Sequence, residues 1–156
     1  MKQTTVSLGE QLVREGLLRP EQLKQVEAEA KRTQEPFQKA LRRFRFVDEK
    51  RFVSFLSAKL GIPEVEMTHQ IIRADILGLI PQNLVRKFSV VPLRKVGKQL
   101  TVATSDPFNL NVLDQLRLKT GFEIRPVLAT ESEIWNAIEQ YYGVKSDIRD
   151  VVQSLK

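Results

Sequence analysis

The sequence predicts an α+β protein: an N-terminal all-helical subdomain of two helix–turn–helix units, followed by a small α/β sandwich in β-β-α-β-α order. Three observations predict it. Before Gly61-Ile62-Pro63 the apolar residues recur at helical spacing between glycine and proline stops. The same stretch matches itself weakly when shifted by 29 positions. After Pro63, two-residue alternation is interleaved with helical runs. The expected organisation is a helical subdomain over 1–62 and an α/β subdomain over 63–143. Residues 144–156 are expected to form a linker or short helix toward a following domain.

In the first unit Leu8, Leu12 and Val13 share one helical face, and Gly16 suits the left-handed position that ends a helix. Pro20 opens the second helix, because proline at the first helical position gives up an N–H that has no partner anyway. Leu23, Val26 and Ala30 mark its buried side. The 29-residue shift then aligns Leu8 with Phe37, Leu12 with Leu41, Leu17 with Phe46, Leu18 with Val47, Leu23 with Phe52 and Val26 with Phe55. The glycines do not repeat, since Gly9 aligns with Gln38 and Gly16 with Arg45. The second unit therefore keeps the packing pattern and loses the permissive backbone. Asp48 is placed to cap the fourth helix, which Gly61 stops.

In the second half a short strand is expected at Glu64 to Met67, a helical stretch from Arg73 to Ile80, and a short helix from Gln82 to Lys87. Val91 and Leu93, then Leu100 and Val102, alternate around Lys95-Val96-Gly97-Lys98 and predict a hairpin turning near Gly97. Asp106-Pro107 introduces a helix with Leu110, Leu113 and Leu116 on one face, ended by Thr120-Gly121. Phe122, Ile124 and Leu128 suggest a third strand, parallel to the second across that helix. Thr130 and Glu133 have capping-box spacing for a last helix that ends at Gly143.

Composition limits the chemistry. The 156 residues include no cysteine, which excludes disulfides, thiolate nucleophiles and cysteine-based metal sites and makes a cytoplasmic setting the simplest expectation. No run is apolar enough for membrane insertion. His69 is the single histidine, so a two-histidine metal site is excluded and no catalytic residue or metal ligand is assigned. Glu64 and Glu66 would share one side of a strand, where a solvated edge explains them better than acid–base chemistry. The P-loop requires glycine-rich backbone followed by Lys-Ser or Lys-Thr; the one Gly-Lys pair, Gly97-Lys98, precedes Gln99 in the expected hairpin.

Basic charge is concentrated early: residues 1–62 carry 13 Lys and Arg against 8 Asp and Glu, whereas 63–143 carry nine of each. Within it Arg42, Arg43, Arg45, Lys50 and Arg51 surround Phe44 and Phe46. Such a cluster could attract nucleic acid, anionic lipid or an acidic protein, although a solvated helix face with the phenylalanines packed inward explains it more simply; Arg42, Arg43, Arg45 and Arg51 are the candidate partner-binding residues. Nucleic acid is not expected, because phenylalanines at helical spacing serve a core and no nucleic-acid-binding module is recognisable.

Ile80-Pro81, Val91-Pro92-Leu93, Leu100-Thr101-Val102-Ala103, Asp106-Pro107, Leu116 with Thr120-Gly121, and the closing Ile138-Glu139-Gln140-Tyr141-Tyr142-Gly143 occur together in this order. In these residues the chain, over about 7–143, resembles the N-terminal region of the type II secretion and type IV pilus assembly ATPases. The resemblance implies a non-catalytic adaptor that docks a downstream hexameric ATPase domain to the cytoplasmic domain of an inner-membrane secretion or pilus assembly protein. It places the chain in the cytoplasm, peripheral to the bacterial inner membrane through its partners. No cofactor is expected, but the first half also looks like the family's cyclic di-GMP-binding version, which is the alternative reading. Leu8, Gly9, Leu12, Val13, Gly16, Leu17, Leu18 and Leu23 match the first of its two motifs, while Ser7 stands where an arginine belongs and Ala30 where a glutamine is usual. The second motif departs further, with Pro36 at the arginine position, Gln38 and Arg45 for the glycines and Lys59 for the final glutamine.

Overall fold

The computed structural model describes residues 7–143. They divide between Phe52 and Val53 into two compact units. The mixed helical and sheet architecture agrees with the α+β reading, and the expected segment 144–156 lies outside the described residues.

The first unit contains α1 (Leu8–Arg14), α2 (Pro20–Thr33), α3 (Phe37–Phe44) and the start of α4 (Glu49–Leu60). Helices α1 and α3 begin 29 residues apart, at Leu8 and Phe37, and so do α2 and α4, at Pro20 and Glu49. The weak duplication in the sequence is thus a duplication of helix starts. Leu12 and its counterpart Leu41 are both buried, as are Val26 and Phe55.

Ser7 caps α1 through a reciprocal pair: its hydroxyl accepts from the Glu10 N–H at 3.2 Å, and its own N–H donates to Glu10 Oε1 at 3.2 Å. Asp48 caps α4 as expected, accepting from the Arg51 N–H at 3.1 Å. Gly16 leaves α1 with φ +78°, and Arg45 leaves α3 with φ 56°. The left-handed turn therefore repeats although glycine does not, because the same αα geometry has to be closed twice.

The second unit is built on β1 (Val90–Val96), β2 (Gln99–Thr104) and β3 (Glu123–Leu128), in sheet order β1-β2-β3. Strands β1 and β2 form the expected antiparallel hairpin, and β2 and β3 run parallel with α7 (Leu110–Thr120) as the crossover. Before the sheet come α5 (Ala74–Leu77) and α6 (Gln82–Phe88); after it α8 (Glu131–Ile138) continues as a wider π-type turn over Glu139–Gly143. Val85, Val90, Val91, Leu100, Val102, Leu116, Ile134 and Ile138 form the centre of the core. Glu133 completes the capping box with Thr130 and also accepts the Met67 N–H at 3.0 Å, tying a distant turn to the start of α8.

Both outer strands carry a proline. Pro92 precedes a register shift in β1. In β3 the Glu123 N–H donates to Lys98 of the hairpin and the Leu128 N–H donates away from β2 to Pro63, so the backbone N–H positions of even-numbered residues point away from β2. Pro126 occupies an outward position, where a missing N–H costs nothing and blocks further strand pairing.

Three local expectations are corrected. The strand expected at Glu64 to Met67 is a single bridge between Glu64 and Leu128, followed by a 3-10 turn at Met67–His69, because the chain must turn to meet Glu133. The helix expected over Arg73 to Ile80 is only the short α5; Gly78 and the turn before Pro81 end it. On α7, Leu116 is fully buried but Leu110 is 66% exposed, since the core meets the side of Val112 and Leu116 rather than that of Leu110.

Candidate functional site

The residues singled out in the first repeat come together on α1 and the entrance to α2. Leu12, Leu18 and Gly9 are buried; Leu8, Val13, Leu17 and Leu23 are half-buried; Gly16 is exposed. Gly9 has a packing role. A Cβ built there would lie 2.3 Å from Leu23 Cδ1 and 3.0 Å from Phe37 Cζ, so the hydrogen side of Gly9 is filled by α2 and α3. Gly16 differs, with nothing within 4 Å of an added Cβ and only its positive φ to favour glycine. Ser7, at the family's arginine position, is committed to the α1 cap, and Pro36, at the second arginine position, is the cap residue of α3.

The arginine cluster separates by role. Arg43, itself exposed, reaches across to join α2 and α3: its Nη2 lies 2.9 Å from Glu29 Oε2 and also pairs with Glu35. Glu29 is held in addition by Arg32 through two hydrogen bonds, at 3.0 and 2.7 Å. The Arg32 and Arg43 guanidinium groups hold the Glu29 carboxyl below the ordinary glutamate value, Arg32 contributing most. Arg43 does the same to Glu35. Arg42 is half-buried on α3, whereas Arg45 and Arg51 are exposed at the turn and on the first turn of α4. Phe44 and Phe46 flank Arg45 and stack with ring centroids 4.9 Å apart.

The Glu29–Arg32–Glu35–Arg43 network is not apparent from residue composition. The three-residue spacing of Glu29 and Arg32 is a visible helical signal, but the reach of Arg43 across to α2 depends on how α2 and α3 pack. In the second unit His69 is exposed and its Nδ1 lies 3.1 Å from Glu66 Oε2. Glu64 instead accepts from the Ser54 hydroxyl at 3.1 Å, so the two carboxylates serve different contacts. Among the described residues no three of His, Cys, Asp and Glu converge as a metal would require, and no helix is long and apolar enough to cross a membrane.

The MshEN domain family matches residues 60–148. The chain belongs to the MshEN domain family. The match covers the sheet-bearing half and stops short of Leu8 to Leu23 and of the arginine cluster. Among full-length relatives, this MshEN chain is 35% identical over 146 residues to the type IV pilus assembly ATPase PilB of Myxococcus xanthus, covering 93% of this chain and 26% of that protein. It is 30% identical over 103 residues to PilB of Thermus thermophilus, covering 63% of this chain and 12% of the relative. The chain thus spans about a quarter or less of the relatives' length.

Among solved structures, MshE with cyclic di-GMP superposes with a TM-score of 0.73 at 25% identity, over 88% of this chain and 99% of that one. The N-terminal domain of XpsE gives a TM-score of 0.76 at 21% identity, over 92% of this chain and 100% of that one, a likeness of fold. The MshEN chain is thus of the kind carried by type IV pilus assembly ATPases, as its closing Tyr141-Tyr142-Gly143 and hairpin motifs suggested.

Proposed function

We propose that this MshEN chain is a non-catalytic docking module, joining a hexameric ATPase domain that follows it to the cytoplasmic domain of an inner-membrane pilus or secretion assembly protein. The carrying observation is the 35% identity with a pilus assembly ATPase across 93% of the chain, in a protein whose length it only partly spans. Supporting it, the sequence offers no P-loop, and the exposed Arg45 and Arg51 with the adjacent Arg42 form a basic surface suited to an acidic protein. This role places the chain in the cytoplasm, held near the inner membrane by its partner.

The test is titration of the purified chain against the cytoplasmic domain of an inner-membrane pilus or secretion assembly protein from the same organism. Saturable, salt-weakened binding is expected, reduced by Arg42→Glu with Arg45→Glu. Arg43 is left intact because it holds α2 to α3. Absence of binding at micromolar concentrations and low salt refutes the reading.

A second reading, cyclic di-GMP sensing, is favoured by the likeness to MshE solved with that ligand and by the left-handed turns retained at Gly16 and Arg45. Against it stand the filled space beside Gly9 and the capping role of Ser7. Calorimetry with saturating cyclic di-GMP decides: no heat removes this reading, and binding lost in Leu12→Ala or Gly16→Ala supports it.

A further inference from the structure

Residues 63–143 of the second unit are neutral in formal charge, but six of their nine cations gather at one end of the sheet. At the hairpin end of the sheet lie Arg94, Lys95 and Lys98 from the hairpin, Arg125 from β3, and Arg117 and Lys119 from the last turn of α7, which leads through Gly121 into β3. Asp114 and Glu123 are the carboxylates nearby, and Asp114 is engaged by Arg117 at 3.8 Å. The opposite end, after β2 and β3, carries Asp106, Glu131 and Glu133 with the bridging Glu64, together with Arg86 and Lys87 at the close of α6.

The register makes the basic end specific. Arg94 pairs with Thr101, and Thr101 pairs with Arg125, so the three lie in one row on one face. Thr101 is 8% exposed while both arginines are exposed, which sets two guanidinium groups on either side of a covered hydroxyl-bearing centre. Two inter-strand spacings separate their Cα atoms by about 9.6 Å. Val96, one step along the same face and 69% exposed, adds an apolar contact beside the row.

We infer that this row is a docking surface for an acidic helix of a protein partner. Carboxylates seven residues apart on a helix are separated by about 10.5 Å along its axis and project within about 20° of each other, which matches the arginine pair. Guanidinium forks bind carboxylates and phosphates alike, so it is the fixed spacing of the pair that favours a helical peptide over a diffuse anionic surface. Pro126 on the outer edge of β3 denies an added strand, leaving recognition to side chains across the face. The partner's biological identity rests on the docking reading above. The surface itself does not, and it adds a contact on the second unit to the one expected at the arginine cluster of the first.

The experiment uses the full chain and a fluorescein-labelled, alanine-based helical peptide with two glutamates seven residues apart, read by anisotropy at low salt. Wild type is expected to bind, with affinity reduced at least tenfold by Arg94→Glu with Arg125→Glu and also by moving the peptide's glutamates to two residues apart. The milder Arg94→Gln with Arg125→Gln should give a smaller loss, with unchanged thermal unfolding. Equal binding of both peptides, or of wild type and the charge-reversed variant, overturns the inference. So does preference for duplex DNA or for vesicles of phosphatidylglycerol and phosphatidylcholine when the peptide is ignored. A parallel titration against the inner-membrane partner's cytoplasmic domain separates the two claims. Capture unaffected by the double reversal sinks this surface and keeps the docking role; peptide binding without capture keeps the surface and sinks the docking role.

Discussion

Replacing Arg45 by glycine should stabilise the protein. Arg45 ends α3 with φ 56° and ψ 32°, where a side chain of L chirality crowds the backbone at a cost of about 1–2 kcal/mol. Glycine removes that cost but raises the entropy of the unfolded chain, giving back about 0.4–1 kcal/mol. The net expectation is a gain of about 0.5–1 kcal/mol, or about 1–4 °C in Tm for a chain of this length. Gly16, the counterpart in the first repeat, supplies the reciprocal test. Its φ is +78° and an added Cβ would meet nothing within 4 Å, so Gly16→Ala should lose about 1 kcal/mol through conformation alone. Arg45→Ala keeps the left-handed backbone and removes the guanidinium, and should fall within about 0.5 kcal/mol of wild type. Urea unfolding followed by far-ultraviolet circular dichroism measures all three. If Arg45→Gly is neutral or destabilising while Arg45→Ala is clearly destabilising, the Arg45 side chain is holding structure and the strain argument is wrong.

Three further outcomes can be measured on the same samples. Gly9→Ala should lose about 1 kcal/mol, since overpacking of about 1–3 kcal/mol against Leu23 and Phe37 exceeds the helix-propensity gain. A double-mutant cycle with Leu23→Ala should show favourable coupling, and additivity would refute the contact. Glu133→Ala removes the side-chain half of the α8 capping box and strands the Met67 N–H, costing about 1–3 kcal/mol by thermal unfolding, with a smaller loss in Glu133→Gln; equal, negligible losses would refute the double role. Because Glu29 and Glu35 titrate below their ordinary value in the folded chain, their contribution is complete above about pH 4.3 and is lost as pH falls through the lower folded values. Arg43→Gln should flatten that acid-side decline in the urea midpoint, and parallel wild-type and variant profiles would show that the network does not act.

The local rules were legible because they are short-range. Gly16, Gly61 and Gly121 end helices with positive φ, Pro20 opens α2, Asp48 and Thr130 cap, and Gly97 turns the hairpin, all from chemistry within a few residues. Ser7 and Glu10 carry the same signal, and a capping-box search would have found them beside the family's missing arginine. The candidate surfaces were less legible. Arg42, Arg43, Arg45 and Arg51 look equivalent as a run of cations, yet the packing of α3 on α2 turns Arg43 toward Glu29 and Glu35.

By itself, then, the amino-acid order determined the α+β class, the order and approximate ends of most elements, the duplicated helix starts and the family, because periodicity, caps and turn residues act locally. Only the tertiary structure decided that Arg45 repeats the backbone of Gly16, that Glu64 makes one bridge rather than a strand, that Leu110 faces solvent, and that Arg94 and Arg125 stand in one row. Each of these depends on which distant segment lies alongside. Strand register joins residues 31 positions apart in sequence, and no local preference of Arg94 or Arg125 encodes that meeting.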